Sequence, residues 1–342
     1  MLGPETIPHL SIDTRTIQHL DTLTHHISAE LPTMTEPEFF DSVDECAQNA
    51  QDRMPEVTAR LRSVASHLGP KAIILDLPPE TAADIGPTPT YHRDNTEQRL
   101  QHPDIYRALM ISMAGLHAFG NVAFHGGAIH NDIIYSANAR NSSAKNDAMR
   151  LHVDGLYVNR NPAHYPESNA ANLNLSPDFL TLHFMRNEEE VPTILVFPEW
   201  EQLSDETRST LRQPCLHLNK SLPPLSVLYG EAADDPWIRY VTDEEYIANS
   251  DNEATRHALR ELNQHLLRRQ VALPMQAGQI LLFDNRRLLH GRAARPVHNL
   301  PPQERWRWQR RVHCVTDPAR IRQPGLPPRI VDTDKVYVFG RR

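Results

Sequence analysis

Prolines, 28 of them against 13 glycines, constrain this chain more than any other feature. Proline fixes φ and carries no amide hydrogen, so it ends helices and is kept out of central strands. Spread over 342 residues, that many prolines leave room for short elements joined by turns and irregular crossings. From Gly126 onward the apolar residues fall into short runs of that kind: "AIHNDIIY", "LHVDGLYV", "FLTLHFM", "PTILVFP", "LSVLYG", "QILLFDN" and "RVHCVTD". Seven such runs broken by one clear helix predict a mainly β fold with flanking helices, a sandwich or barrel. The architecture expected is a double-stranded β-helix, or jelly roll, with helices packed outside it.

The helices are read from caps and stripes. Ser42-x-x-Glu45 has the form of a capping box, and Val57, Leu61, Val64 and Leu68 recur at three- and four-residue steps. Arg99 to Gly120 reads as a second helix, carrying Ile105, Leu109, Ile111, Met113 and Leu116. A third runs from Asp251 to Arg268, capped by Ser250-x-x-Glu253, with Ala254, Ala258, Leu262 and Leu266 on its buried side. "KAIILDLP" is a short buried strand closed by prolines. The expected organisation is one catalytic domain over residues 1–342. A helical portion at 1–70 packs on a jelly-roll core at 71–320, with a polar lid at 231–249.

Composition narrows the function classes. Hydrophobic content of 39% and charged content of 23% fit a globular chain, and a formal net charge of −8 with no lysine- or arginine-rich face before the last forty residues argues against nucleic acid. No apolar run is long enough to span a membrane and no signal-peptide core opens the chain, so the cytoplasm is expected. Cys46, Cys215 and Cys314 are too few and too scattered for a disulfide framework and read as small buried hydrophobes.

The chemistry is carried by "MRLHVDG", where His152 and Asp154 stand one residue apart before Gly155. Alone, the pair is equally two polar residues alternating along a strand. A third ligand would come from "AGQILLFDNRRLLHGR", where a buried-strand run and the turn-prone Asp284-Asn285 lead to His290. Two histidines and one carboxylate can occupy one face of an octahedral Fe(II) and leave three positions open.

With those residues in view, the chain resembles the clavaminate synthase-like branch of the taurine-dioxygenase-type Fe(II)/2-oxoglutarate oxygenases, over about Leu75 to Asp317. The pieces are "PTPT", "AIHNDIIY", "NSSAKNDAMRLHVDG", "SPDFLTLHFMRNEEEVPTILV", "PWIRY", "DNEATRHALREL", "GQILLFDNRRLLHGR" and "RWRWQRRVHCVTD", in that order. The resemblance implies His152, Asp154 and His290 as iron ligands. It places the 2-oxoglutarate arginine in an Arg-Trp pair beyond the distal histidine. Two pairs are present; the register of "RVHCVTD" selects Arg307, with Arg305 as the fallback, and Thr193 corresponds to the supporting threonine. Arg310 and Arg311 then read as a solvated basic face.

The activity implied is hydroxylation of an unactivated C–H bond in a free amino acid or amino-acid-derived metabolite, using Fe(II), 2-oxoglutarate and O2. A substrate tethered to a carrier protein, or a desaturated or cyclised product, would use the same ligands. A cupin-like metal sensor without turnover is the alternative of another class. Two departures stand out: the extra "NPAHYPESNAAN", and Tyr240-Val241 after Arg239, where arginine hydroxylases carry acids. The nearest acid is Asp243, which argues against arginine as substrate.

Overall fold

The computed structural model describes residues 7–66, 68–77, 85–89, 100–122, 128–134, 147–155, 176–217, 224–230, 232–248, 250, 252–295, 301–322 and 325–332. A short strand, β1 (His9–Ser11), precedes helices α1 (Thr14–Leu23), α2 (His25–Glu30), α3 (Glu36–Arg53) and α4 (Pro55–Ala65). The start of α3 lies six residues before the expected Ser42 box. Thr35 caps it: Glu38 N donates to Thr35 Oγ1 at 3.4 Å, and Thr35 N donates to Glu38 Oε2 at 2.9 Å. Ser42 is therefore inside the helix. The expected stripe on α4 holds at Leu61 and Val64, which are fully buried, but the helix ends at Ala65 and Leu68 is 94% exposed.

The next elements are β2 (Ala72–Asp76), α5 (His102–Met113), β3 (His117–Asn121) and β4 (His130–Ile134). The second helix is shorter than expected because Gly115, at φ +75°, takes the left-handed conformation that ends it. Leu116 is buried just beyond the helix, and the residues read as its last turn are a strand.

The remaining strands are β5 (Met149–His152), β6 (Phe179–Arg186), β7 (Thr193–Val196), β8 (Pro214–Leu216), β9 (Leu225–Ser226), β10 (Leu228–Tyr229), β11 (Trp237–Ile238), β12 (Gln270–Leu273), β13 (Gln279–Asp284), β14 (Leu289–Arg292), β15 (Trp308–Val315) and β16 (Ile330–Val331). Between them lie α6 (Asp205–Arg212), α7 (Glu244–Ala248) and α8 (Glu253–Arg268). Each of the seven apolar runs contains strand. Asn252, not Ser250, caps α8, accepting from Ala254 N at 2.8 Å; Ala254 is exposed while Ala258, Leu262 and Leu266 are buried.

Two sheets face each other as a jelly roll. The larger has the order β1-β2-β13-β6-β15-β3-β16, with β4 also paired to β15; the smaller has the order β12-β7-β14-β5. β1 and β16 extend the larger sheet beyond residues 71–320 at both ends. Period-two alternation divides its side chains between two cores. Leu180, Leu182 and Phe184 of β6 pack inside the roll with Leu195, Leu281 and Phe283. Phe179, Ile280, Leu282, Val312 and Cys314 pack outward against α3, α4 and α5. Outside the smaller sheet, Leu151, Ile194, Val196 and Leu289 meet Leu211 of α6 and Leu259, Leu262 and Leu266 of α8. All three cysteines are buried and free.

The expectation of a solvated basic face at Arg310 and Arg311 is overturned. Arg310 is 3% exposed, on the outward face of β15 beneath α5. It pairs with Asp104 of α5 and, at 2.9 Å, with Asp132 of β4; Asp104 also accepts from Arg107 at 2.7 Å. A central strand covered on both faces has no solvated side, so each of its charges is paired. Among the described residues no helix is long and apolar enough to cross a membrane.

Candidate metal centre

His152 ends β5 and His290 lies in β14, directly across the ladder from it. Asp154 follows in the turn after β5. Asn285, which is fully buried, holds that turn: its Oδ1 accepts from Asp154 N at 2.8 Å, and its Nδ2 donates to the carbonyls of Asp154 and Pro177 at 3.0 and 2.9 Å. Gly155 closes the turn at φ +74°, where an added Cβ would lie 2.9 Å from Pro177 Cδ. The Asp284-Asn285 pair, read as a simple turn, thus ties the motif to the distal strand.

The three side chains converge. One ligand atom from each of His152, Asp154 and His290 lies within 4.8 Å of the others. Asp154 Oδ1 is 3.4 Å from His152 Nε2 and 3.8 Å from His290 Nε2. Ligand bonds of about 2.1 Å at right angles would space the donors about 3 Å apart, so the set fits one face of an octahedral ion with little adjustment. His152 Nδ1 lies 2.8 Å from the Arg150 carbonyl and donates to it, which leaves the Nε2 lone pair directed at the cluster. Burial, reinforced by His152, holds His290 far below the usual histidine range and therefore neutral. Burial opposes the Asp154 charge, yet Arg311, followed by the neighbouring His152 and a hydrogen bond from His313, keeps its carboxyl well below the usual range. A neutral imidazole and an ionised carboxylate are the states in which these groups bind metal.

Beside the cluster, a cavity of about 210 Å³ is lined by His152, His290, Thr193, Arg307, Gln309 and Arg311. Arg307 is 3% exposed, and its Nη2 donates to Thr193 Oγ1 at 3.1 Å and to Gln309 Oε1 at 2.8 Å. Arg305 is elsewhere: its side chain is 58% exposed and pairs with Glu188 on the surface. Thr88 of "PTPT" braces the turn into β15, donating from Oγ1 to the Trp306 carbonyl at 2.8 Å. The segment read as a lid lies along β5, with Val153 N donating to Tyr240 O at 3.2 Å and Thr242 N to Leu151 O at 2.8 Å. Two of its acids are engaged outside the cavity, Asp235 by Lys71 and Arg287 and Asp243 by Arg150. "NPAHYPESNAAN" lies outside the described residues.

Residues 189–313 match the family described as Taurine catabolism dioxygenase TauD, TfdA family. Over 315 residues the chain is 24% identical to clavaminate synthase 2 of Streptomyces clavuligerus, covering 85% of this chain and 88% of that one. Its fold is similar to that of asparagine oxygenase in complex with Fe(II), 2S,3S-3-hydroxyasparagine and succinate, at a TM-score of 0.71 and 20% identity over 95% of this chain and 99% of that one. It is similar also to the non-heme iron oxygenase OrfP with Fe and alpha-ketoglutaric acid, at 0.73 and 21% over 94% and 99%. A further structure, of OrfP with Fe and L-Arg, superposes at 0.70 and 20% over 94% and 98%. The chain shares the fold of these iron oxygenases, and residues 189–313 carry the TauD, TfdA family match.

The matched segment opens at Glu189 and contains Thr193, His290 and Arg307, whereas His152 and Asp154 precede it. Sequence reasoning missed Arg311 and His313, whose Nη1 and Nε2 reach Asp154 Oδ2 at 2.7 and 3.1 Å. It also missed Gln309 and Asn285. The signal for three of these was available, since Arg307, Gln309, Arg311 and His313 are alternate residues and so share the inward face of one strand.

Proposed function

We propose that this protein hydroxylates an unactivated C–H bond of a free amino acid or amino-acid-derived metabolite, with His152, Asp154 and His290 holding Fe(II) and Arg307 and Thr193 holding 2-oxoglutarate. The observation that carries this reading is that His152 and His290, which converge with Asp154, line the same cavity as the Arg307–Thr193 pair. Bound there, iron and 2-oxoglutarate supply O2 activation coupled to decarboxylation. The overall balance is substrate C–H, 2-oxoglutarate and O2 giving alcohol, succinate and CO2. The chain's own residues orient and exclude water. Arg307 offers a planar fork suited to the distal carboxylate of 2-oxoglutarate, and Phe184 under its guanidinium fixes the fork's plane. Asp154 supplies one negative charge to the metal, and the His152–Arg150 contact sets the imidazole's orientation.

The amino-acid class is supported by the relatives solved with hydroxyasparagine and L-arginine. A cationic side chain is disfavoured, because Asp235 and Asp243 are both already paired. The test is a coupled assay for succinate and for oxidised product by mass spectrometry over a panel of free amino acids. Succinate release stimulated by at least one of them, and abolished by His152→Ala, is expected. Release that no amino acid stimulates, or that survives in His152→Ala, would overturn the proposal.

A further inference from the structure

The two oxygens of Asp154 have different neighbours. Oδ1 faces the histidine nitrogens, 3.4 Å from His152 Nε2 and 3.8 Å from His290 Nε2. Oδ2 points away, accepting from Arg311 Nη1 at 2.7 Å and lying 3.1 Å from His313 Nε2. A carboxylate can only accept, so Nε2 of His313 carries the hydrogen of that contact. We propose that His313 is a positioning residue that holds Oδ2 so that Asp154 presents a single oxygen to the metal. The inference rests on the ligand reading given under Proposed function.

The consequence concerns coordination number. A carboxylate turning about its Cβ–Cγ bond can bind one ion through both oxygens, and a second oxygen would take one of the three positions that a facial triad leaves open. Two donors on Oδ2 fix the carboxylate plane. They are not equivalent. Arg311 lines the cavity, where an anionic ligand competes for its guanidinium. His313 stands behind, its side chain 11% exposed and its ring 5.8 Å from that of Phe119 on β3. It therefore keeps hold of Oδ2 whatever fills the cavity. Its place in β15 is fixed by the Phe119 pairing on one side and Leu180 on the other.

The test compares His313→Leu, which keeps bulk and removes the donor, with His313→Gln, whose amide restores one. Co(II) is titrated anaerobically into each apoprotein and followed by visible absorption, which reports coordination number without turnover. His313→Leu should bind Co(II) about 10- to 100-fold more weakly, with an altered spectrum. His313→Gln should recover most of the affinity and the original spectrum. If the leucine variant does not fold, His313→Met replaces it. Unchanged affinity and spectrum in the apolar variant, or a glutamine variant no better than it, would overturn the inference. Asp154→Ala separates the two readings: if it keeps full affinity, the ligand reading itself fails, whereas a loss there with none in His313→Leu sinks only the role of His313.

Discussion

Replacing Arg307 by methionine removes the guanidinium, whose carbon lies 5.2 Å from the Phe184 ring centroid, and keeps an unbranched apolar stem. Arg307 is 3% exposed, and its Nη2 donates to two neutral oxygens, Thr193 Oγ1 and Gln309 Oε1. A dicarboxylate entering this cavity would meet a desolvated, preoriented fork. Truncating one member of such a buried charge pair typically costs about 2–5 kcal/mol, which is about 30-fold to several thousand-fold in affinity. Arg307→Lys keeps the charge without the fork and should fall between. Thr193→Val removes one neutral hydrogen bond, worth about 1 kcal/mol or roughly fivefold. The control is Arg305→Ala. That side chain is 58% exposed and pairs with Glu188 at the surface, so its loss should change affinity by less than about threefold. Calorimetric titration of 2-oxoglutarate into Co(II)-loaded protein under argon measures all four, and unfolding midpoints confirm that each variant is folded. Wild-type affinity in Arg307→Met, with a large loss in Arg305→Ala, would refute the reasoning and move the carboxylate site by one Arg-Trp pair.

Gly291→Ala should weaken metal binding without touching a ligand, because the added Cβ would lie 2.7 Å from the Met149 carbonyl and push β14 away from β5; overpacking of this kind costs about 1–3 kcal/mol, read as a lower unfolding midpoint together with weaker Co(II) binding. Asp104→Asn should destabilise by about 3–5 kcal/mol in urea unfolding, since it leaves Arg107 and Arg310 buried with a neutral amide between them; an unchanged midpoint would show that the network is not strained by its loss. His183 gives a signature in pH. Burial, followed by Arg107, pushes its pKa down to about 3 against a usual 6.5, so the unfolded chain binds the extra proton and stability falls as pH drops below 6.5. Between pH 8 and pH 5 this one group contributes a loss of about 2 kcal/mol. His183→Gln should flatten that limb by the same amount, and an identical slope in both proteins would contradict the assignment.

Much of this molecule was legible because its patterns are local. The seven apolar runs became strands because each alternates or is continuously apolar between turn residues, which is the pattern of a covered sheet. The convergence of His152, Asp154 and His290 was expected from the family resemblance, since the His-x-Asp spacing alone also fits an ordinary strand. The choice of Arg307 over Arg305 followed from counting back from "RVHCVTD", and the structure places Arg307 in the cavity and Arg305 at the surface. The helix starts were misread for a different reason. Several positions can satisfy a Ser/Thr-x-x-Glu pattern, and the one used depends on where the chain arrives. Thr35 wins at α3, ahead of Pro37 in the first turn, and Asn252 wins at α8 because its side chain reaches two amides. The paired acids of the lid segment and the pairing of Asp104 with Arg310 join residues up to 206 apart in the chain, and no local pattern announces them.

That last pairing explains how one strand can carry so many arginines. In "RWRWQRRVHC", Arg310 and Arg311 are neighbours in the chain and so must face opposite ways. One goes out to Asp104 and Asp132 beneath α5; the other goes in to Asp154. A slip of β15 by one residue against β6 would exchange the two faces, sending Trp308, Val312 and Cys314 into the cavity and Arg307, Arg311 and His313 into the helix-covered core. Both faces resist the slip with buried carboxylates, Asp104 and Asp132 on one side and Asp154 on the other, while Glu189 accepts from the Arg307 amide at 3.2 Å. Each misplaced arginine would be a buried charge without its partner, costing several kcal/mol. The outward ion pairs do not line the cavity, yet they set the register on which Arg307, Arg311 and His313 all depend. A site built on alternate residues of one strand is only as well placed as that strand's register, and here the register is held from behind.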